Sequence, residues 1–349
     1  MTMKVRGVVL EHKDEITIRD VEVPWTLIPG PHDVKVAIKV VGICGSDCHY
    51  YEHGRIGDFV VREPMILGHE AAGVVTEVGE SVTSLKVGDP VCMEPGIPDF
   101  GSAQTLRGMY NLDPAVRFWA TPPVHGCLTP EVVHPAALTY RLPETVSLAE
   151  GALIEPLAIG VYAAAKAQIE PGDVAVVTGA GTIGLMVAFS ALAAGCSEVI
   201  VSDLAAAKLH LAATRPEVVT VDLNHENLAE VVRDRTGGTG ADVLFEASGS
   251  ARVYDDMFGL IRQGGRAVLV GMPANRVPFD VVALQVKEIS LTGTFRYANV
   301  WDRAIKLVAS GKIDLKPLIS GTFGFEDSLA AFKRAAEHHP EDVKIQIAF

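Results

Sequence analysis

Hydrophobic positions follow two different rhythms along the chain of 349 residues. Up to about residue 150, β-branched runs such as Val34–Val41 and Ala71–Val78 stand between loops, which predicts strands. Beyond Glu150, short apolar runs alternate with helical segments, beginning with Asp173–Thr178 and Ile183–Ala194. Apolar strands that alternate with helices predict a parallel sheet covered on both faces. The fold class is therefore α/β, with a β-rich region followed by a doubly wound parallel sheet.

The remaining predicted elements continue both rhythms. Further strands are predicted at Val5–Leu10, Ile16–Asp20, Pro90–Met93, Val199–Ser202, Val218–Val221, Val243–Ala247, Ala267–Val270, Ile289–Thr292 and Val343–Ala348. Helices are predicted at Glu150–Ala167, Ala205–Thr214, Leu228–Arg235, Val253–Ile261, Trp301–Ala309 and Glu326–Glu337. Little periodicity is present between Pro95 and Pro135, so this stretch is predicted to be loop-like, and its aromatic residues favour an ordered loop.

Composition and charge exclude several classes of function. The chain has 30 Lys and Arg against 43 Asp and Glu, a formal net charge of −13, which disfavours nucleic acid and anionic membrane surfaces as partners. Its five cysteines are odd in number and irregularly spaced, which is typical of a reducing cytoplasm rather than of a disulfide scaffold. An uncharged stretch from Val174 to Ser197 is divided by glycines into a strand, a turn and a helix, so no membrane span is expected. We therefore predict a cytoplasmic protein.

A glycine-rich loop stands at the start of the alternating region. Gly179, Gly181 and Gly184 form the pattern G-x-G-x-x-G between an apolar strand and an apolar helix, and Asp203 ends the next strand. In this pattern the first glycine makes the turn, the second admits a pyrophosphate, and the third lets the helix lie close to the strand. Asp203 is placed to accept hydrogen bonds from the ribose and to repel a 2′-phosphate, and Leu204 and the two alanines after it offer no arginine. The sequence predicts NAD rather than NADP.

Possible metal ligands lie in the β-rich region and at its end. Cys44 follows a predicted strand, His69 and Glu70 are adjacent, and Glu155 stands where the alternation begins. A thiolate, an imidazole and carboxylates are ligand types of a catalytic zinc ion, which keeps a position open for water or substrate. A buried structural cysteine and a hydrogen-bonded loop histidine would leave the same residues in the sequence, and spacing alone does not separate these two interpretations.

Several motifs together resemble one family. They are Gly42–Asp47 (GICGSD), Gly68–Glu70 (GHE), the glycine loop, Glu94–Gly96, Tyr110–Leu112, Phe118–Pro123, Gly151–Leu157 and Phe295–Tyr297. Over essentially its whole length the chain resembles the zinc-dependent medium-chain dehydrogenase/reductase superfamily, in the polyol dehydrogenase branch of sorbitol and xylitol dehydrogenases. The segments Cys92–Pro98 and Ala298–Val300 are similar to those of bacterial xylitol dehydrogenases.

The resemblance implies a domain organisation and a metal site. It implies a GroES-like catalytic domain over residues 1–156, completed by 296–349, and a Rossmann NAD-binding domain over 157–295. Cys44, His69 and Glu70 are then ligands of a catalytic Zn²⁺, and Glu155 either joins them or holds the zinc-bound water. Many members of the superfamily bind a structural zinc through four cysteines just after the position of Glu94. This chain has no cysteine between Glu94 and Pro114, so we expect one zinc ion per chain, with Cys92, Cys127 and Cys196 buried as small apolar residues.

The resemblance also implies an activity and the residues for it. The expected reaction is oxidation of a polyol to a ketose with NAD⁺, foremost xylitol to D-xylulose, with sorbitol as the alternative substrate. Two routes for the proton stay open, one through Ser46 and His49 and one through Glu155. Residues expected at the substrate are Tyr50, Phe118, Thr121, Glu155, Arg296 and Tyr297. Further NAD contacts are expected from Ile183, Lys208, Val270, Gly271, Met272 and Phe295.

Other hypotheses remain for the activity and the assembly. An alcohol or threonine dehydrogenase would share the zinc and NAD motifs and differ in the residues around the substrate. A catalytically silent binding protein would be expected to keep the glycine loop and lose the zinc ligands, whereas both are present here. By resemblance the chain is expected to form homodimers or homotetramers, with an exposed edge strand of the Rossmann sheet as the contact.

Overall fold

A computed structural model describes residues 3–349, which divide into two compact units. The first unit comprises Met1–Glu155 and Trp301–Phe349, and the second comprises Pro156–Val300. These limits place Arg296 and Tyr297 in the second unit, whereas the resemblance assigns residues from 296 onward to the catalytic domain. No helix within residues 3–349 is long and apolar enough to span a membrane.

The first unit is rich in strands. Its strands before the second unit are β1 (Met3–His12), β2 (Glu15–Val23), β3 (Asp33–Gly42), β4 (Arg55–Ile56), β5 (Phe59–Val60), β6 (Met65–Ile66), β7 (Glu70–Val78), β8 (Pro90–Met93), β9 (Gly96–Ile97), β10 (Arg117–Phe118), β11 (Glu131–Pro135) and β12 (Thr139–Arg141). Its helices are α1 (Gly45–His53), α2 (Ala103–Leu106), α3 (Leu148–Ala152) and the start of α4 (Ile154–Lys166), with short 3₁₀ helices at Tyr110–Leu112 and Ala136–Leu138.

The second unit alternates strands and helices. It contains β13 (Val174–Thr178), α5 (Thr182–Ala194), β14 (Glu198–Asp203), α6 (Ala206–Ala212), β15 (Val218–Asp222), α7 (Leu228–Arg235), β16 (Ala241–Glu246), α8 (Val253–Asp256), β17 (Ile261–Leu269), α9 (Val281–Val286) and β18 (Ser290–Gly293). Its strands form one parallel sheet in the order β15-β14-β13-β16-β17-β18, which is the Rossmann order. The predicted α/β fold class is confirmed.

The chain then returns to the first unit. This part contains α10 (Trp301–Ala309), β19 (Ile319–Gly324), α11 (Ser328–Ala336) and β20 (Lys344–Ala348), with 3₁₀ helices at Lys316–Leu318 and Phe325–Asp327. The main sheet of the first unit runs β12-β8-β7-β3-β20-β19, with β11 also paired to β3. The last strand therefore lies beside β3, the strand that precedes Cys44.

Most predicted elements are present, but the structure differs from the prediction in several places. The predicted helix Glu150–Ala167 is divided into α3 and α4, and α9 lies where no helix is predicted. The helix predicted over Val253–Ile261 ends at Asp256, continues as a 3₁₀ turn over Met257–Leu260, and gives way to β17 at Ile261. Apolar residues at the end of a buried helix and at the start of a buried strand look alike, so periodicity does not locate this boundary. Gly45–His53 forms a helix that the hydrophobic pattern does not predict. Polar residues make up most of this short segment, so its few apolar positions show no helical periodicity.

Candidate metal and dinucleotide sites

Three metal-ligating side chains meet in the first unit. The Sγ atom of Cys44, a ring nitrogen of His69 and a carboxylate oxygen of Glu70 all lie within 4.8 Å of one another. Cys44 is partly buried, whereas His69 and Glu70 are buried. Within residues 3–349, no other group of three His, Cys, Asp or Glu side chains is arranged to hold a metal ion.

Strand pairing explains why ligands so far apart in sequence meet. β3 and β7 are antiparallel, and Gly42 at the end of β3 lies opposite Glu70 at the start of β7. Cys44 and His69 therefore extend from the same end of one strand pair. A Cβ atom at Gly42 would lie 2.0 Å from Oε2 of Glu70, so a larger residue at this position would displace the carboxylate. The glycine that opens the GICGSD motif thus makes room for the third ligand.

Asp47 connects the two ligand-bearing loops, a role that the sequence motifs did not reveal. Its Oδ2 accepts the backbone N–H of Cys44 at 3.1 Å, and its Oδ1 accepts that of Gly68 at 3.1 Å. The side chain is fully buried, and burial raises the pKa of its carboxyl group. An acidic residue at the third position of a helix is a known helix-start signal, so the sequence could have indicated this contact.

Lys344 is a second residue whose role the sequence did not reveal. Its Nζ donates to Oε1 of Glu70 at 2.6 Å and to the carbonyl oxygen of Ile43 at 3.0 Å. Both charged side chains are almost completely buried, at 2% and 0% exposure. Burial lowers the pKa of the lysine, but Glu70, Cys44 and Glu155 together outweigh that effect, so the pKa lies above its ordinary value. The only sequence signal is a lysine at the start of a short strand whose other residues, apart from Gln346, are apolar.

The donor set fits a zinc ion. Nδ1 of His69 and Oε2 of Glu70 are buried, and neither atom has a hydrogen-bond partner among residues 3–349. Burial opposes a charge on His69, but Asp47, Cys44 and Glu155 outweigh it and raise the pKa of the imidazole to about 10. The surroundings therefore stabilise positive charge strongly at this point. A thiolate, an imidazole and a carboxylate with unused lone pairs match the ligands of a catalytic zinc site.

The residues expected around the metal divide into three groups. Ser46, His49 and Tyr50 lie on α1, directly after Cys44, where Tyr50 is buried and His49 is exposed. Phe118 is buried, and its ring centroid is 5.6 Å from that of His69. Thr121 is partly buried and donates its backbone N–H to the carbonyl oxygen of Phe118 at 3.1 Å.

Glu155 belongs to the same surroundings. It lies in the first turn of α4 and is 3% exposed. Its negative charge contributes to the raised pKa of His69, although it is not a member of the compact group of three ligand atoms. The structure therefore brings Cys44, His69 and Glu70 together and leaves Glu155 as a neighbour that acts on them.

In the second unit, the glycine loop joins β13 to α5. Gly179 has φ +95°, which favours glycine. A Cβ atom at Gly184 would lie 1.8 Å from the carbonyl oxygen of Gly179, so only glycine lets the helix start this close to the turn. At Gly181, which precedes the first turn of α5, no atom lies within 4 Å of an added Cβ. This open backbone beside a helix N-terminus is suited to a phosphate group.

Asp203 lies at the end of β14 and contacts the glycine loop. Its Oδ2 accepts the N–H of Ala180 at 2.6 Å, and its Oδ1 accepts the N–H of Ala205 at 2.8 Å. Each carboxylate oxygen retains capacity for a further donor, as a ribose contact requires. The sequence predicts that Asp203 binds ribose, and the structure adds that it also connects the loop to the start of α6.

The other residues expected at the cofactor or substrate are spread over the second unit. Val270 and Gly271 follow β17, and both donate their N–H to the carbonyl oxygen of Glu246 at 2.8 Å. Arg296 has φ +54°, and its guanidinium lies 4.9 Å from the ring centroid of Phe295. Met272 is exposed, Phe295 is 37% exposed, Tyr297 is buried, and Ile183 and Lys208 are partly buried.

Three of the cysteines outside the metal group are buried as expected. Cys92 and Cys127 are 0% exposed and Cys196 is 7% exposed. Burial raises the pKa of each thiol. These thiols are therefore poor nucleophiles, and the side chains pack as small apolar residues.

Two family models match the two kinds of region in this chain. Residues 30–144 match the alcohol dehydrogenase GroES-like domain, and residues 182–310 match the zinc-binding dehydrogenase domain. The first match covers the candidate metal ligands Cys44, His69 and Glu70. The second begins inside the glycine loop.

Individual proteins are similar over nearly the whole chain. A putative D-xylulose reductase of Agrobacterium fabrum is 58% identical over 346 residues, which is 98% of this chain and 99% of that protein. The D-xylulose reductase of Morganella morganii is 53% identical over 336 residues, or 96% and 98% of the two chains. Among solved structures, an oxidoreductase of unknown specificity from Escherichia coli has a TM-score of 0.93 and 32% identity, covering 99% of both chains.

Proposed function

The chain belongs to the zinc-binding dehydrogenase family, in its polyol dehydrogenase branch, and from this premise we propose that it oxidises xylitol to D-xylulose with NAD⁺ and one zinc ion per chain. The observation that carries the proposal is the group of Cys44, His69 and Glu70, in which two of the three side chains have a buried atom without a hydrogen-bond partner in the described part of the chain. The 53% identity to a D-xylulose reductase supports the substrate. The absence of cysteines between Glu94 and Pro114 supports a single zinc ion.

The protein's own residues prepare the metal site for an alcohol. Cys44, His69 and Glu70 would hold a zinc ion, which would supply a Lewis acid able to lower the pKa of an alcohol hydroxyl group. Asp47 fixes the spacing of the two loops that carry the ligands, and Lys344 holds one oxygen of Glu70 so that the other stays directed at the ligand group. The ring of Phe118 shields one side of His69.

The hydroxyl proton must leave the site, and Glu155 is the favoured acceptor. Glu155 is buried, and its charge acts on His69, so it lies within electrostatic reach of the ligands. In the other route, Ser46 would pass the proton to His49, whose exposed ring could release it to water. A substitution of each acceptor separates the routes, because only the residue on the route changes the pH profile of kcat.

For the cofactor, Asp203 supports NAD⁺ as hydride acceptor over NADP⁺. Its carboxylate stands beside the glycine loop, where a 2′-phosphate would meet negative charge. Neither Leu204 nor Ala205 and Ala206 after it supplies a cation to neutralise such a phosphate. The proposal therefore predicts a clear preference for NAD⁺.

Steady-state kinetics across a polyol panel tests this function. The purified protein is assayed with xylitol, sorbitol, L-arabinitol, galactitol and ribitol, each with NAD⁺ and with NADP⁺, and with L-threonine as a substrate of a different class. We expect the largest kcat/KM for xylitol with NAD⁺, and loss of turnover after treatment with a strong chelator. A larger kcat/KM for sorbitol would favour the sorbitol alternative, which shares the Phe295–Tyr297 motif. Turnover that survives complete removal of zinc would refute the mechanism.

We also propose that the chain assembles into homodimers or homotetramers. Helix α9 has no buried residue within its own chain, and Val281, Val282 and Val286 on it are 54%, 66% and 77% exposed. The neighbouring β18 is an edge strand of the sheet, a place where a second copy can pair. Sedimentation velocity should show a dimer or tetramer, and a monomer at micromolar concentration would contradict the proposal.

A further inference from the structure

A buried carboxyl group without a cation lies at the start of the long irregular segment of the first unit. Glu94 follows β8 directly, is 1% exposed, and has no ion-pair partner within residues 3–349. Its Oε1 accepts the hydroxyl of Tyr110 at 2.8 Å, and its Oε2 accepts the hydroxyl of Tyr140 at 3.0 Å. We call these three side chains the tyrosine clamp. The proposed mechanism gives none of them a role.

The clamp connects three parts of the first unit. Tyr110 belongs to a 3₁₀ helix inside segment 95–118, whereas Tyr140 lies on β12 of the main sheet. The ring of Tyr140 stacks on that of Trp301 from α10, with 5.4 Å between centroids and 16° between planes. The backbone of Glu94 is held as well, because Nε2 of His134 on β11 lies 2.9 Å from its carbonyl oxygen. One residue thus attaches segment 95–118 to the sheet.

Segment 95–118 ends beside the metal group. Its last residue, Phe118, pairs with Gly96 across the short β9–β10 ladder, so the two ends of the segment are joined directly after Glu94. The ring of Phe118 lies 5.6 Å from that of His69. A shift of the segment at Glu94 would therefore move an aromatic ring that contacts a metal ligand.

We propose that Glu94 is a positioning residue: its carboxyl group, held by Tyr110 and Tyr140, fixes segment 95–118 and thereby Phe118 beside the metal group, and ionisation of this carboxyl group loosens the segment. When the carboxyl group is neutral, one of its oxygens carries a proton and donates it in a hydrogen bond. One of the two tyrosine hydroxyls must then accept a hydrogen bond from Glu94 instead of donating one. When it is ionised, both tyrosines donate, but a negative charge is buried without a cation.

Burial and charge around the clamp favour the neutral carboxyl group. Burial raises the pKa of Glu94 to about 7, the hydroxyls of Tyr110 and Tyr140 oppose this rise, and the charge of Glu155 adds to it. Burial raises the pKa of Tyr140, and the negative charges of Glu94 and Asp302 raise it further. The phenol of Tyr140 therefore stays neutral. Burial lowers the pKa of His134 to about 4, with Arg117 as a further cause, so this imidazole is neutral too. Glu94 is therefore the group in the clamp that titrates near neutral pH.

The sign of the pH effect follows from linkage. The pKa of Glu94 is about 7 when the clamp is closed and returns towards the ordinary 4.5 when opening exposes it to water. Protonation of Glu94 therefore stabilises the closed clamp fully below pH 4.5, and this stabilisation is lost as pH rises through 7. With these two pKa values, the equilibrium constant for opening of the clamp is about tenfold larger at pH 8 than at pH 6.

Limited proteolysis measures this opening without reference to catalysis. Arg107 is exposed, and it is the one trypsin site between Lys86 and Arg117. Under conditions where opening is fast relative to cleavage, the cleavage rate follows the open population. We compare the wild-type protein with Glu94→Gln, which has the same shape and cannot ionise, at matched pH values and trypsin activity. We expect cleavage at Arg107 to rise about tenfold from pH 6 to pH 8 in the wild type relative to the variant.

A second variant keeps the test decisive if Glu94→Gln does not fold. Tyr140→Phe retains the carboxyl group and the stacked ring but removes one donor to Glu94, so the midpoint of the pH dependence should move upward. Equal pH dependence in wild type and Glu94→Gln would overturn the proposal, as would an unchanged midpoint in Tyr140→Phe.

The consequence for catalysis rests on the proposed function and is measured separately. With xylitol and NAD⁺, the wild-type KM should rise between pH 6 and pH 8 more than in Glu94→Gln, with a smaller effect on kcat. A protein that does not oxidise polyols would show the proteolysis result alone, so failure of the proposed function and failure of the clamp are distinguishable. A KM with the same pH dependence in both proteins would refute the link between the clamp and Phe118.

Discussion

The glycine loop of the second unit lies within six consecutive residues, whereas the metal group of the first unit depends on side chains from the turn after β3, the loop before β7, and strands β7 and β20. The proposed binding by the loop would use backbone N–H groups and a helix N-terminus, so its requirements are local: room at Gly181, a turn at Gly179 and close packing at Gly184. The metal group depends on buried charges that balance each other across the sheet. Backbone sites of the first kind can be recognised in a sequence, whereas side-chain sites of the second kind depend on long-range pairing.

The comparison predicts different sensitivities. A change at the metal group leaves a buried charge or an empty ligand position, which costs several kcal/mol. A change at Asp203 removes hydrogen bonds at a partly exposed site, which costs less. Substitutions at both sites test this difference, beginning with the largest expected effect.

Cys44→Ser should have the largest effect. It replaces the thiolate of the metal group by a hydroxyl, which is a poor zinc ligand at neutral pH, so we expect loss of zinc and a fall in kcat of at least about 10³-fold. Elemental analysis and steady-state kinetics measure both quantities. Cys196→Ser is the matched control, because it makes the same change at a buried cysteine of the second unit and should keep its zinc. A full complement of zinc with normal turnover in Cys44→Ser would show that the ligand assignment is wrong.

Lys344→Met should have the next largest effect, on stability. In the zinc-free protein it leaves the carboxylate of Glu70 buried without a cation, which is expected to lower the free energy of unfolding by about 3–5 kcal/mol. Lys35→Met is the matched control: Lys35 lies on β3 and pairs with Glu77 and Glu131, both of which are solvent-accessible, so its loss should cost less than about 1 kcal/mol. Chemical denaturation of both variants measures the difference. Equal losses in the two would mean that the buried pair contributes no more than a surface one.

A double substitution sharpens the same point. Glu70→Gln combined with Lys344→Met removes both charges, so the combined loss of stability should be smaller than the sum of the two single losses. The zinc content of the double variant should nevertheless fall, because the remaining amide is a weaker ligand than a carboxylate. Additive losses would contradict a direct interaction between the two side chains.

What can be predicted from the sequence differs in the same way between the local sites of the second unit and the long-range contacts of the first unit. Five of the six Rossmann strands can be predicted to within two residues at each end, because buried parallel strands form continuous apolar runs that glycines punctuate. The sixth, β17, begins six residues before the predicted strand, because its first half contains polar residues and glycines. Cys44, His69 and Glu70 are identified through family resemblance, whereas spacing alone leaves a structural interpretation open. Lys344 cannot be recognised in this way, because its partner Glu70 lies 274 residues earlier in the chain. The two meet only because β20 pairs with β3 and β3 pairs with β7. The tyrosine clamp escapes prediction for the same reason.

Asp203→Ala should have the smallest effect of the series, confined to the cofactor. Loss of hydrogen bonds to a charged group is expected to weaken NAD⁺ binding by about 1–3 kcal/mol, or roughly 5- to 150-fold in Kd, and to reduce discrimination against NADP⁺. Asp222→Ala is the matched control, because Asp222 is the register partner of Asp203 on β15 and its side chain accepts from Asn224 rather than from the glycine loop. Isothermal titration with both nucleotides measures the two affinities.

The structure adds a further expectation for this variant. Asp203 also accepts the N–H of Ala180, so its removal frees a donor of the glycine loop itself. If that contact matters, NADP⁺ will gain less from the lost negative charge than a purely electrostatic argument predicts, because both nucleotides depend on the loop. An unchanged preference for NAD⁺ together with weakened binding of both would assign Asp203 to the loop. Unchanged affinity for both nucleotides would show that Asp203 is not part of the nucleotide-binding site. Any preference for NAD⁺ would then depend on residues other than the one that ends β14.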